Sequence, residues 1–182
     1  MKIFAETERL VLREILPSDE AGLFELDSDP EVHTYLGNRP VTKIEQVRDV
    51  IRFTRQQYTA NGIARWAVIE KSSGAFIGWS GLKLVQEVTN KQVNFYDLGY
   101  RLIRKYWGQG YASESAKASL DYGFNTLKTN VIYAMADAHN AASRKVIEKT
   151  GLHYIETFDL HGVPHDWFEL SKEEWRMTKI MP

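Results

Sequence analysis

Cysteine is absent from the 182 residues, which removes disulfides, thiolate metal sites and a cysteine nucleophile together. No charge of one sign dominates: 23 Lys and Arg stand against 24 Asp and Glu, a formal net charge of −1. A chain whose main business is neutralising nucleic-acid phosphates needs an excess of Lys and Arg, so nucleic acid is not expected as the primary partner. Long apolar runs are missing too. With a mean hydropathy of −0.38 and no stretch of ~18 apolar residues, no transmembrane helix is expected. Met1 to Glu8 contains no apolar core of a secretory leader, so the expected setting is cytoplasmic, away from a membrane. Internal repeats, low-complexity tracts and Pro/Gly/Ser-rich linkers are absent, and a single domain over 1–182 is expected.

What is present is patterned. Leu10-Val11-Leu12-Arg13-Glu14-Ile15 reads as a first strand. Pro17-Ser18-Asp19-Glu20 starts a short helix with a hydroxyl cap, and Asp29-Pro30-Glu31 opens a second helical piece ending near Gly37. Thr42-Lys43-Ile44-Glu45 has the capping-box spacing ahead of a helix that stops at Asn61-Gly62. Trp66 to Glu70 and Ala75 to Trp79, joined by Ser72-Ser73-Gly74, read as a hairpin, followed by a strand over Val93 to Leu102. Ala112, Ala116, Leu120 and Phe124 mark one helix face. Val131 to Ala136 reads as a buried strand, and a helix from about Ala141 ends at Thr150-Gly151. Two short strands meeting near His161-Gly162 complete the chain. Strands before, between and after helices predict a mixed α/β fold, one sheet covered by helices.

The most informative stretch is Tyr106-Trp107-Gly108-Gln109-Gly110-Tyr111-Ala112-Ser113-Glu114. A strand leads into a loop with two glycines, and the loop leads directly into a helix. That arrangement binds anions: glycines allow close backbone approach, and the helix N-terminus adds roughly half a positive charge. Two phosphate-loop readings fail on the letters. Gly-Lys-Ser/Thr does not occur, and Ser113 stands where the dinucleotide fingerprint requires its third glycine. Glu114, in the helix's first turn, suits the dipole but would repel a bound phosphate if turned toward it.

This strand, Gly-x-Gly-x-Ala loop and helix resemble the acyl-CoA pyrophosphate loop of the GNAT acetyltransferase superfamily. Asp97-Leu98-Gly99-Tyr100, the stretch from Tyr106 to Glu114, and Asn140 to Leu152 are together similar to its RimJ/RimL-like ribosomal-protein N-acetyltransferase branch. The opening Thr7-Glu8-Arg9-Leu10-Val11-Leu12-Arg13 and Asp29-Pro30-Glu31-Val32 match the branch as well. The resemblance implies a mostly antiparallel central sheet, helices on both faces, and fourth and fifth strands that splay apart. Acetyl-CoA, as co-substrate and without a metal, would lay its pantetheine arm in that gap as in strand addition. Tyr100, Arg101 and Leu102 would supply the strand edge beside it, with a backbone N–H polarising the thioester carbonyl. Trp107, Gly108, Gln109, Gly110, Tyr111 and Ala112 would hold the pyrophosphate. Asn140 and Ser143 would bind the CoA arm, and Arg104, Lys105, Arg144 and Lys145 would partner the 3′-phosphate.

The resemblance also implies an enzyme: an acyltransferase moving acetyl directly to a primary amine, the acceptors implied by that branch being protein or peptide N-terminal α-amines. Asp97 stands near the position of a family glutamate and is the candidate base; the alternative is a carboxylate that only braces its strand. Ile147 replaces the tyrosine that the wider superfamily places seven residues beyond the asparagine. Ser143 is then the candidate acid, or else a helix N-terminal hydroxyl satisfying backbone N–H groups. A small-molecule amine (polyamine, aminoglycoside, amino acid), a non-catalytic acyl-CoA-binding module and a nucleotide-binding protein are the rivals. His161-Gly162-Val163-Pro164-His165-Asp166 holds metal-type ligands, but Gly162 and Pro164 favour a hairpin over the helix that would align both histidines. His33 and Tyr35 either line an acceptor cleft or lie at the surface. A monomer and a homodimer both remain open.

Overall fold

The computed structural model describes residues 1–180. Eight strands form one sheet: β1 (Ile3–Glu6), β2 (Leu10–Arg13), β3 (Trp66–Glu70), β4 (Phe76–Val85), β5 (Phe95–Leu102), β6 (Val131–Asp137), β7 (His153–Leu160) and β8 (Val163–Ser171). Their spatial order is β1-β2-β3-β4-β5-β6-β8-β7, and every pair is antiparallel except β5 with β6. Five helices join them: α1 (Glu20–Ser28), α2 (Ile44–Asn61), α3 (Tyr111–Asn125), α4 (Ala141–Lys149) and α5 (Lys172–Ile180).

Strand alternation divides the core in two. On one face Leu10, Leu12, Trp66, Val68, Leu82, Leu98, Ile132, Ala134 and Phe168 pack against Ala116, Leu120 and Phe124 of α3 and Ile147 of α4. On the other, Ala67 of β3 packs with Leu23 and Leu26 of α1 and Val47 and Ile51 of α2. Those two helices stop short of the far half of this second face. There Val85, Phe95 and Trp167 are floored by Tyr133, Met135 and Phe158, held by edge-to-face aromatic contacts.

Several local expectations are corrected. Strand β1 was not expected; its Phe4 stacks on Trp66 at 4.7 Å. Counting it turns the fourth and fifth strands of the sequence reading into β5 and β6. The first strand ends at Arg13 rather than Ile15, β4 runs on to Val85 rather than stopping at Trp79, and β5 begins at Phe95. Residues 30–37 form a run of turns, not a helix. The α2 cap is not Thr42 with Glu45: Gln46 reaches back, its Oε1 accepting from the Thr42 and Lys43 N–H groups at 2.9 and 3.0 Å. Likewise Asp19, not the Ser18 hydroxyl, caps the first helical turn by accepting the Leu16 N–H at 2.8 Å. The closing helix α5 was not expected either; Trp175 tilts against Phe124 and donates its indole N–H to Asp121 at 2.9 Å. The hairpin at His161-Gly162 is as expected, with both residues at positive φ, the geometry of a tight two-residue connection. Asp166 there bonds Arg144 and Thr157, not the neighbouring histidines. Among the described residues no helix is long and apolar enough to cross a membrane.

Helix α3 lies so close to the sheet that a Cβ on Gly123 would come within 2.6 Å of Ile132 Cδ1 and 2.7 Å of Leu82 Cδ1. Gly123→Ala is therefore expected to lower stability by about 1–3 kcal/mol through overpacking, read from the urea midpoint. Adding Ile132→Val, which removes one of the two clashing methyls, is expected to cost less than the sum of the single changes.

Candidate active site

The sheet opens where β5 leaves β6. Pairing of β5 with β4 continues to Leu102 opposite Gly78, whereas pairing with β6 consists of Asp97 opposite Tyr133 and Leu98 opposite Ala134. The β6-side main chain of Gly99 to Leu102 therefore has no strand partner. An extended chain can hydrogen-bond there as an added strand.

The loop expected to bind a diphosphate lies at the end of that opening. Gly108 and Gly110 have φ of 72° and 83°, left-handed values that glycine adopts without the Cβ penalty. A Cβ on Gly108 would meet nothing within 4 Å, so the loop presents its backbone to open space, just ahead of the α3 N-terminus. Its side chains turn elsewhere. The Trp107 indole N–H donates to the Leu102 carbonyl at 2.8 Å and closes the end of β5. Gln109 Nε2 donates to the Lys105 carbonyl at 2.9 Å. Tyr111 is buried and its hydroxyl bonds Glu70. What the loop offers an anion is main chain running into Ala112, the second residue of α3. An acyl-CoA diphosphate fits such a cradle of N–H groups at a helix start.

Asp97 and Tyr100, three residues apart on β5, point to opposite faces. Asp97 is 6 % exposed. Its Oδ2 is ion-paired with the Nη2 of Arg65, while Oδ1 has no partner. Arg65 was not singled out from the sequence, because nothing local marks an arginine that pairs 32 residues away. Its Nη1 also donates to the Gly81 and Asp97 carbonyls, both at 2.5 Å. A Cβ on Gly99 would stand 2.6 Å from Arg65 Nη2, so the glycine of Asp97-Leu98-Gly99-Tyr100 makes room for that guanidinium. Burial pushes the Asp97 carboxyl above the ordinary aspartate range, against the opposing pull of Arg65 and Lys83.

On the other face the Tyr100 hydroxyl reaches helix α4. It donates to the Ser143 carbonyl at 2.9 Å and lies 3.0 Å from Ser143 Oγ. Burial raises this phenol to about 12 despite the Ser143 bond. Ile147, one turn further along α4, is buried in the core. Tyr100 thus brings a hydroxyl from β5 to the first turn of α4, beside Ser143. Asn140 caps α4, its Oδ1 accepting the Ser143 N–H at 3.0 Å.

Arg101, Arg104, Lys105 and Arg144 are engaged in ion pairs. Arg101 donates to Asp27 of α1 at 2.6 Å and, like Arg65, lies over the Trp79 ring, so its side chain serves the α1 face and only its main chain borders the opening. Arg144 bonds Glu148 and Asp166, each at 2.9 Å. Arg104 pairs with Asp29 at 3.1 Å and Lys105 with Glu25 at 2.9 Å. His33 is buried with both ring nitrogens unbonded. Tyr35 is 40 % exposed.

These features agree with what the chain is similar to. Residues 9–153 match the acetyltransferase (GNAT) domain family. YkkB of Bacillus subtilis (strain 168) is 36 % identical over 152 residues, 83 % of this chain and 86 % of that protein. The FsC-acetyl coenzyme A-N(2)-transacetylase of Aspergillus fumigatus is 30 % identical over 167 residues, 85 % of this chain and 70 % of that one. A GNAT-family acetyltransferase structure from Bacillus anthracis superposes with a TM-score of 0.79 at 25 % identity, covering 95 % of this chain and 99 % of the other. The chain belongs to the GNAT acetyltransferase family, with acetyl-CoA as its acetyl donor and a nitrogen as its acceptor.

Proposed function

We propose that this chain acetylates the N-terminal α-amine of a protein or peptide, with Asp97 as general base and Ser143 as general acid. One observation carries the reading. The partnerless Asp97 Oδ1 and the Ser143–Tyr100 hydroxyl pair lie on opposite faces of one strand, at the place where that strand loses its neighbour. An amine arriving from one face and a sulfur leaving on the other need that separation.

Acetyl-CoA supplies an acyl group activated as a thioester. The main chain of Tyr100, Arg101 and Leu102 borders its arm, and N–H groups there stabilise charge on the carbonyl oxygen. Trp107 to Ala112 hold the diphosphate through backbone N–H groups. Asn140 fixes the start of α4 and so the position of Ser143. Arg144, with Lys145 beside it, borders the nucleotide end. Asp97 Oδ1 takes the proton of the attacking amine, its raised basicity suiting that task. Ser143 Oγ passes a proton to the sulfur as the C–S bond breaks, the Tyr100 hydroxyl beside it holds the developing serine alkoxide by hydrogen bonding, and Ser143 regains its proton from water once CoA leaves. Transfer is direct, without an acyl-enzyme, and the whole of 1–182 serves as one catalytic domain.

An α-amine is the acceptor that asks least of such a base. At pH 7.5 roughly a quarter of an amine with pKa ~8 is neutral, against roughly a thousandth of a lysine amine at ~10.4. Half-buried Tyr133 and Met135, packed over Phe95 and Trp167 on the Asp97 face, give a peptide's first side chains an apolar surface. A small-molecule amine is the second reading, favoured by the Aspergillus fumigatus relative, whose name specifies N(2) transacetylation of FsC. Mass spectrometry of a cell extract treated with isotopically labelled acetyl-CoA decides: label on protein N-termini supports the first reading, and label confined to small amines overturns it.

Asp97→Asn is expected to lower kcat/KM by roughly 100-fold or more and to remove the carboxyl's step from the acidic limb of its pH profile, leaving the acceptor amine's own titration at ~8. The carboxyl's step lies above the ordinary aspartate range because burial raises the carboxyl. The profile is the deciding readout, since the substitution also leaves Arg65 without its counter-ion. Ser143→Ala is expected to reduce kcat by roughly 10- to 100-fold with little change in acetyl-CoA KM. A matched rise in KM would assign Ser143 to binding instead.

A further inference from the structure

The Thr7-Glu8-Arg9-Leu10 segment lies about 100 residues from the glycine loop in sequence, yet the structure joins them through one arginine. Arg9 Nε donates to Glu114 Oε2 at 2.7 Å, with Nη2 2.6 Å from the same oxygen. Arg9 Nη1 donates to the Gln109 carbonyl at 3.0 Å. Glu114 Oε1 accepts from the Thr7 hydroxyl at 2.5 Å and from the Arg9 backbone N–H at 3.1 Å. The guanidinium lies 4.3 Å over the Tyr111 ring, whose hydroxyl is in turn held by Glu70. A Cβ on Gly110 would stand 3.4 Å from Arg9 Nη2.

We propose that Arg9 is the positioning residue of the diphosphate loop, setting the direction of its N–H groups and masking the one carboxylate beside them. The inference rests on the reading that this loop binds the CoA diphosphate, and two physical arguments carry it. The first is geometric. No peptide here is cis, and in a trans peptide the C=O and the following N–H point opposite ways. Drawing the Gln109 carbonyl toward Arg9 therefore aims the Gly110 N–H away from Arg9, out of the loop. The second is electrostatic. Glu114 occupies the first turn of α3, where its charge would compete with an anion for the helix N-terminus and repel it. Burial alone would raise the Glu114 carboxyl, but the Thr7 hydroxyl, the Arg9 N–H and the Arg9 guanidinium outweigh it and hold the carboxyl below its usual range. Glu114 is thus ionised and needs the arginine. A lysine offers a point charge but no fork to span Gln109 and Glu114 together.

Calorimetric titration with CoA, alongside thermal unfolding of the ligand-free proteins, tests this. Arg9→Met is expected to raise the CoA Kd by roughly tenfold or more, the scale on which misplacement of binding groups acts. Arg9→Lys is expected to recover only part of that loss. The decisive arm is Arg9→Met combined with Glu114→Gln: removing the unmasked charge is expected to make CoA bind more tightly than to Arg9→Met alone, which a purely structural role does not predict. A CoA Kd for Arg9→Met within about twofold of the parent, or no recovery in the double variant, overturns the proposal. Should Arg9→Met fail to unfold cooperatively, Arg9→Lys decides, an unchanged Kd overturning the proposal and a weakened one supporting it. A parent protein that itself gives no heat with CoA overturns the reading of the loop, a separate and recognisable failure.

Discussion

A single shortened seam governs the rest of the structure. A β-strand buried in a sheet normally exchanges hydrogen bonds on both edges, because an unpaired buried peptide group costs about as much as a lost hydrogen bond. Strand β5 is paired with β4 along its whole length but with β6 over Asp97 and Leu98 only. The parallel direction of that one pair requires a long crossover, supplied by the glycine loop and α3. The connection that parts the two strands therefore also places a helix N-terminus beside the opening. Extended backbone on one side and anion-binding N–H groups at the end suit a ligand with an extended amide-bearing arm and a diphosphate.

The same strand separates the chemistry by parity. Asp97 and Arg101 look toward α1 and α2, where each is matched by an opposite charge: Arg65 for Asp97, Asp27 for Arg101. Both arginines share the Trp79 ring. Tyr100 looks the other way and meets α4. Such buried pairs contribute little net stability once desolvation is counted. Their value lies in fixing directions: with Oδ2 held by Arg65, Asp97 leaves Oδ1 for another donor.

Much of this was legible in the sequence, where it rested on local rules. Helix α3 declares itself by apolar spacing, α2 and α4 by the glycines that end them, and the loop by glycines whose positive φ the structure bears out. The family resemblance supplied the splayed sheet, which no periodicity reveals. What was missed has physical reasons. Strand β1 is only four residues long and half exposed, so its pattern is too short to read. Helix α5 is mostly charged and is held by one buried tryptophan. Ser18 and Thr42 looked like caps by residue type, yet Asp19 and Gln46 do the capping because longer or charged acceptors reach the orphan N–H groups better. Arg65 and Arg9 act through partners 32 and about 100 residues distant, and pairings of that reach are settled by topology. For Glu114, by contrast, dipole and repulsion arguments alone favour a carboxylate turned away from a bound phosphate, and it turns from the loop into Thr7 and Arg9.

The central claim is that the open edge of β5 and the glycine loop together receive acetyl-CoA. Amide hydrogen exchange, with and without saturating CoA, tests it at the peptide groups concerned. The account predicts that CoA slows exchange at Gly99 to Leu102, at Gly108 to Ala112 and at the start of α4, leaving α2 and the β7–β8 hairpin unchanged. Unaltered exchange along Gly99 to Leu102 under saturating CoA would contradict it.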